Sequence, residues 1–152
     1  MNDAAAFSVF NAVRFTIFGE PVPFTRAGAF GKRRFTPPKQ RDYMLEVRRV
    51  AHEAMAGAAP FEGPLSIEIA AFYGIPETWS KKRRAEARWR TSRPDVDNIA
   101  KLIADAIGDN PSLSQTDKLG AIVFRDDASV CRLLVEKRYG SQSYVCVTVS
   151  KL

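Results

Sequence analysis

With 152 residues, 45% apolar and 26% charged, the chain has the length and balance of one folded domain. That excludes disorder as the default, and no window approaches the about 18 uninterrupted apolar residues of a membrane-spanning helix. The net charge of +6 is unevenly spread: Arg26 to Arg49 holds eight basic and two acidic residues, Lys81 to Arg93 seven basic and one acidic, and the rest of the chain carries a net of minus six. Basic surface beside an acidic cluster suits a protein that holds a polyanion against carboxylates. The plainer alternative is a basic surface that only keeps the chain soluble.

Residues 1–11 read as a flexible leader and residues 12–152 as a single domain. The leader has Asp3 where a secretory signal needs basic residues, so a cytoplasmic protein is expected. Ala12 to Phe18 alternates apolar and polar residues as a half-buried strand does. Gly19 to Gly31 is rich in Gly and Pro and reads as a loop running into Lys32-Arg33-Arg34. Thr36-Pro37-Pro38 signals a helix start with Thr36 as cap. Tyr43, Val47, Val50, Ala51 and Ala54 then recur at helical spacing up to a stop at Gly57, with Arg41, Arg48, Arg49 and Glu53 mainly on other faces. The single histidine, His52, lies within this helix and is read as structural.

Leu65 to Tyr73 is the next strand, with Leu65, Ile67, Ile69 and Ala71 on one side. Glu77 to Arg90 is strongly basic, contains Trp79 and Trp89, and is expected to be helical in part. After Pro94 a second amphipathic helix runs to about Ile107, with Val96, Ile99, Ala100, Ile103, Ala106 and Ile107 as its buried stripe. Gly108 to Ser112 reads as loop, and Ala121 to Phe124, Val130 to Lys137 and Tyr144 to Val149 read as strands. The order implies an α+β fold, a single small mixed sheet with two main helices packed on one face. Cys131 and Cys146 lack metal-ligand spacing and are expected as buried free thiols, with a disulfide the alternative.

The chemistry concentrates in Arg93-Pro94-Asp95-Val96-Asp97-Asn98-Ile99-Ala100-Lys101. Pro94 favours an extended conformation before it, and residues two apart on an extended stretch point the same way, so Asp95 and Asp97 can converge on one ion. In a helix beginning near Asp97, Lys101 and Asp105 follow on the same face. A second pair, Asp126-Asp127, lies between apolar runs, and adjacent residues on a strand face opposite ways, so only one of them is expected to join directly. Such carboxylates are hard oxygen ligands of the kind Mg²⁺ prefers, with Mn²⁺ a possible substitute. Each cluster also has an ordinary structural reading, Asp95 or Asp97 as a helix cap and Asp126-Asp127 as a turn. The spacing fits neither a calcium-binding EF-hand nor a Gly-rich phosphate loop.

Asp95-Val96-Asp97-Asn98, then Lys101, Asp105-Ala106-Ile107 and Asp126-Asp127-Ala128-Ser129-Val130, resemble the signature of RusA-type Holliday-junction resolvases. Gly19-Glu20-Pro21-Val22-Pro23, Arg26 and Phe35-Thr36-Pro37 resemble the N-terminal half of that family, so the resemblance spans roughly residues 13–149. Ser129 departs from it, standing where the family usually has Gln, and the connection from Ile107 to Asp126 is long.

The resemblance implies a RusA-like fold and a crossover junction endodeoxyribonuclease, in which Asp95, Asp97 and Asp127 bind Mg²⁺ and Lys101 is needed for cleavage. It implies a homodimer that nicks a four-way DNA junction symmetrically in recombination and repair, leaving 5′-phosphate and 3′-hydroxyl ends, and it suits a bacterial chromosome or a prophage alike. Asp126, Asp105 and Asn98 are candidates for supporting roles around the ligands. Lys32, Arg33, Arg34, Lys81, Lys82, Arg83, Arg84 and Arg93, with Arg88 and Arg90, are candidate DNA-backbone contacts, and Trp79, Trp89 and Phe30 candidate stacking residues. Two alternatives stay open: a nucleic-acid-binding protein without catalysis, and a metal-dependent nuclease of other branched or single-stranded substrates.

Overall fold

The alternation in Ala12–Phe18 becomes strand β1 of a four-stranded sheet, in a computed structural model that describes residues 11–26, 28–30 and 33–152. The expected leader lies almost wholly outside the described residues. Strand order is β1-β6-β4-β5, with β4 spanning Leu65–Gly74, β5 Val130–Gly140 and β6 Tyr144–Lys151. Neighbours are antiparallel except β4 and β5, which run parallel. Val13, Phe15 and Ile17 of β1, Leu65, Ile67, Ile69 and Ala71 of β4, and Val145, Val147 and Val149 of β6 are all buried. On the face they share lie helix α1, Pro38–Met55, against β1 and helix α3, Val96–Ile107, against β5, and the two helices also meet each other. A mixed sheet with two main helices on one face is therefore the architecture. The opposite face forms an open depression lined by Arg14, Thr16, Glu68, Phe72 and Tyr144.

Parallel neighbours cannot be joined by a tight turn. The chain between β4 and β5 accordingly forms a long crossover holding α2 (Lys81–Glu86), α3, α4 (Pro111–Asp117) and a 3₁₀ turn at Asp127–Ser129. Both carboxylate clusters lie in this crossover.

Several local expectations need correction. Thr36 does not cap α1: the N-cap position is Pro37, extended at φ −52° and ψ 137°, with no side-chain cap bond. Prolines serve there because the first-turn N–H groups have no intrahelical partner to lose. At the other end Ala56, at φ 49°, takes the left-handed cap position assigned to Gly57, which itself lies at φ 82°. The expected loop is not plain throughout, since Gly28–Phe30 (β2) and Arg33–Phe35 (β3) pair as short antiparallel strands. Ala121 to Phe124 makes no strand: Ile122, Val123 and Phe124 are buried, but the Ile122 and Val123 N–H groups both donate to the Ile107 carbonyl. In place of unbroken loop after Gly108, Asn110 accepts from the Leu113 N–H at 3.2 Å and Pro111 opens α4. Cys131 and Cys146 are free thiols, but Cys131 is exposed and Cys146 half-buried. Among the described residues no helix is long and apolar enough to cross a membrane.

The largest correction concerns Arg48. Placed by its spacing away from the apolar stripe, it is nevertheless fully buried, its guanidinium reaching the end of α3 and the segment after α4. Its guanidinium donates to the carbonyls of Ala106 (2.9 Å), Leu119 (2.8 Å) and Gly120 (3.0 Å) and ion-pairs with Asp117 at 2.6 Å. The planar fork serves several acceptors at once, as an ammonium cannot. Burial alone would push the Asp117 carboxyl up, but hydrogen bonds from Arg48 and the Leu119 N–H outweigh it and hold the group below the usual carboxylate range. A folded-state pKa below the unfolded one adds stability that is complete above the unfolded value and is lost as pH falls through the folded one. The stability deficit of Asp117→Asn, measured by denaturant titration, is thus expected to be full at neutral pH and to shrink below about pH 4. A deficit independent of pH would contradict the pairing.

Candidate active site

Helix α3 starts where the chain leaves an extended stretch at Pro94-Asp95. Asp95 occupies the N-cap position at φ −74° and ψ 148°, yet its side chain makes no cap hydrogen bond. Ser80, Asn110 and Asp126, at the corresponding positions of α2, α4 and the 3₁₀ turn, all accept one. The capping explanation therefore fails for Asp95, whose carboxylate is not spent on its own helix. The approach to it is held from beneath: Lys137 of β5 donates to the carbonyls of Ser92 and Pro94, both at 2.7 Å, and Arg90 donates to the Arg93 carbonyl at 2.9 Å.

Asp97, Lys101 and Asp105 follow along one face of α3 and line a common cavity with Asp127. The floor is apolar, formed by Ile67, Ala100, Ala104, Val130 and Leu133. Lys101 pairs with Asp105 at 3.2 Å and lies 4.8 Å from the centre of the Phe24 ring. Phe24 is fixed in turn, because its N–H donates to the Asn98 carbonyl at 2.9 Å and the neighbouring Thr25 N–H and hydroxyl both donate to buried Gln40. One cation is thus held among carboxylates at a partly apolar wall. Val96, assigned to the buried stripe, is instead 41% exposed, and Leu102 is fully buried in its place. The helix is rotated toward its Leu102 side, which leaves the Asp97 side facing the cavity.

Asp126 and Asp127 lie not on a strand but at the 3₁₀ turn, with Asp126 as its cap and Asp127 as its first residue. The Asp126 side chain accepts from the Ala128 N–H at 2.9 Å, the ordinary turn role. Asp127 lines the Asp97 cavity, and both line an adjoining depression with Asp105 and Asp109. Asp95 is not among the residues lining either space. Nor, among the described residues, do three His, Cys, Asp or Glu side chains stand close enough to hold an ion between them. That still fits Mg²⁺, which commonly binds through one or two carboxylates and completes its shell with water and substrate phosphate. The donors available are all hard oxygens.

The basic segment precedes Asp95 in the chain and lies against the later part of β5, with Trp89 bridged to Arg138. Lys81, Lys82, Arg83 and Arg84 lie on α2, which buries no residue, and Arg93 is exposed. Trp79 is committed to packing, edge-on to Tyr139 at 5.1 Å with the Arg83 guanidinium 3.6 Å from its ring centre. Trp89 is 49% exposed, with Arg138 and Arg88 at 4.5 and 5.5 Å from its ring. The candidates Lys32 and Phe30 fall outside the described residues or side chains, as do the side chains of Arg33 and Arg34, whose backbone forms β3. Arg48, Gln40, Arg90 and Lys137 were not anticipated as positioning residues. Their partners lie 15 to 72 residues away for Gln40, Lys137 and Arg48, beyond any local pattern.

Residues 19–150 match the family described as Endodeoxyribonuclease RusA, a span that takes in α1, both carboxylate clusters and the basic segment. The chain belongs to the RusA family. It is also similar to the uncharacterized protein YqaN of Bacillus subtilis (strain 168), 26% identical over 151 residues that cover 93% of this chain and 98% of the relative. RusA membership makes this an endodeoxyribonuclease by family and leaves the assignment of each site residue to geometry and chemistry.

Proposed function

We propose that this RusA-family protein is a Mg²⁺-dependent, structure-specific endonuclease that resolves four-way DNA junctions by paired symmetric nicks, one from each subunit of a homodimer. The observation that carries the reading is the meeting of Asp97, at the start of α3, and Asp127, at the end of the crossover, in one cavity with Lys101. Asp97 and Asp127 would hold the cation, and Asp95 would join them through its uncommitted carboxylate. Bound there, the cation would neutralise the scissile phosphate and acidify a water. Lys101, held in place by Asp105, stabilises negative charge that grows on the phosphate oxygens during hydrolysis. Asp126 fixes the turn that presents Asp127, and Asn98 anchors the Phe24 wall beside Lys101. Lys81, Lys82, Arg83, Arg84 and Arg93 engage phosphates flanking the cut, with exposed Trp89 available for stacking on an unpaired base.

The test is incubation of the protein with labelled four-way junctions, flaps, duplex and single strands, in Mg²⁺ or Mn²⁺ and in EDTA. Paired nicks on the junction that ligase reseals, lost in EDTA, are expected. Binding without cutting in any metal would overturn the enzymatic reading, and preferential cutting of flaps or single strands would overturn the junction assignment.

A further inference from the structure

The three carbonyls that precede Asp95 all accept hydrogen bonds from cationic side chains. Lys137 donates to those of Ser92 and Pro94, both at 2.7 Å, and the Arg90 guanidinium donates to that of Arg93 at 2.9 Å. Hydrogen bonds from an ionised donor are short and stronger than neutral ones. Both cations are in turn anchored on the sheet. Lys137 stands on β5, where its own carbonyl accepts from the Arg90 N–H at 3.2 Å. The Arg90 guanidinium lies 4.0 Å from the centre of the ring of Tyr73, a buried residue near the end of β4. Neither cation takes part in an ion pair among the described residues. Both are committed to backbone oxygens of one short stretch, Ser92 to Pro94.

That stretch bears on a single carboxylate. On its other side Asp95 is tied into α3 by the Ile99 N–H, which donates to its carbonyl at 3.4 Å. The backbone of Asp95 is thus held from both directions, and its uncapped carboxylate has only its own side-chain torsions left to settle. A ligand carried on a fixed backbone loses little freedom when it binds. We propose that Lys137 is a positioning residue for metal binding: its ammonium clamps the chain at Ser92 and Pro94 so that Asp95 can join Asp97 and Asp127 on the cation. Arg90 completes the clamp at Arg93. The inference rests on the reading of Asp95 as a ligand, and it takes Arg90 out of the set of candidate DNA-backbone contacts.

Removing a group that orients a metal ligand typically costs about ten- to a hundredfold in metal affinity. Mn²⁺ binding to the DNA-free protein, followed by the electron paramagnetic resonance of the free ion, should therefore weaken about tenfold or more in Lys137→Met. That variant keeps the reach of the side chain and removes its charge. Asp95→Asn should weaken binding as well, and the double variant should be no worse than Asp95→Asn alone, because the clamp acts only through that carboxylate. Lys137→Cys alkylated with bromoethylamine regains an ammonium on a stem of the same length and should recover the parent affinity, with the parent treated alike to control for Cys131 and Cys146. Junction binding in EDTA over a salt series should give Lys137→Met the slope of the parent, whereas a slope smaller by about one would make Lys137 a phosphate contact. Parent-like Mn²⁺ affinity in Lys137→Met, additive losses in the double variant, no recovery on alkylation, or a reduced salt slope would each overturn the proposal. Parent-like affinity in Asp95→Asn would overturn it too, while leaving a nuclease that works through Asp97 and Asp127. A parent that neither binds Mn²⁺ nor cuts DNA would take the nuclease reading down with it.

Discussion

Asp97→Asn is expected to reduce junction cleavage by at least about a hundredfold while leaving junction binding nearly unchanged. The substitution keeps the size of the side chain and its place on the first turn of α3 but removes the charge that faces the cavity. Phosphate contacts from the basic segment dominate affinity for DNA and are untouched. Asp127→Asn should behave alike, because the two carboxylates share one cavity and act as a unit, so the double variant should lose little more than either single. The comparison that discriminates is Asp126→Asn. Its side chain accepts a backbone N–H within the turn, a bond that an amide oxygen preserves, so cleavage should persist. Retained cutting by Asp97→Asn, or equal loss in all three variants, would refute the assignment of ligands.

Arg48→Ala is expected to cost about 3–5 kcal/mol in unfolding free energy, the scale for removing one partner of a buried ion pair. The loss strands Asp117 and the carbonyls of Ala106, Leu119 and Gly120 together. Against a total stability of about 5–15 kcal/mol for an ordinary domain, that is a large fraction. Arg48→Lys should recover only part of it, since a single ammonium cannot reach acceptors on three segments. Denaturant titration checks both, and a loss below about 1 kcal/mol for Arg48→Ala would place Arg48 with ordinary surface residues. Cleavage should fall beyond what the unfolded fraction explains, because Arg48 ties the end of α3 to the segment that leads to Asp127.

Where burial repeats at a regular spacing, the sequence was legible. Ala12–Phe18 has the bounds its alternation implies, and Leu65, Ile67, Ile69 and Ala71 are buried on one side as expected. The α3 stripe was right except at its first residue, where the helix start leaves Val96 41% exposed, and it lacked Leu102, which is fully buried. Misreadings arose where one residue type serves two purposes. Asn110-Pro111 reads as loop punctuation and equally as cap and first position of a helix, and α4 takes the second meaning. Ile122 to Phe124 is apolar because it is buried, and burial alone does not distinguish a strand from a segment hung on a helix end. Arg48 was missed because a charged side chain is ordinarily solvated, and its acceptors come from chain 58 to 72 residues further on. Within the site the face shared by Asp97, Lys101 and Asp105 followed from helical spacing, whereas the arrival of Asp127 depended on the whole crossover.

That crossover also sets an order of events in folding. β4 and β5 pair in parallel, residue for residue from Ser66 with Arg132 to Gly74 with Gly140, across all the chain that holds α2, α3 and α4. Closing so long a loop costs entropy before any ladder bond repays it, and non-local pairings of this kind slow folding. β6 with β4 and β1 with β6 pair across spans that contain the same crossover, so neither ladder is more local. Asp97 and Asp127 come together only when β5 docks and the crossover is shut, so the cavity should be among the last features the chain acquires and among the first it gives up.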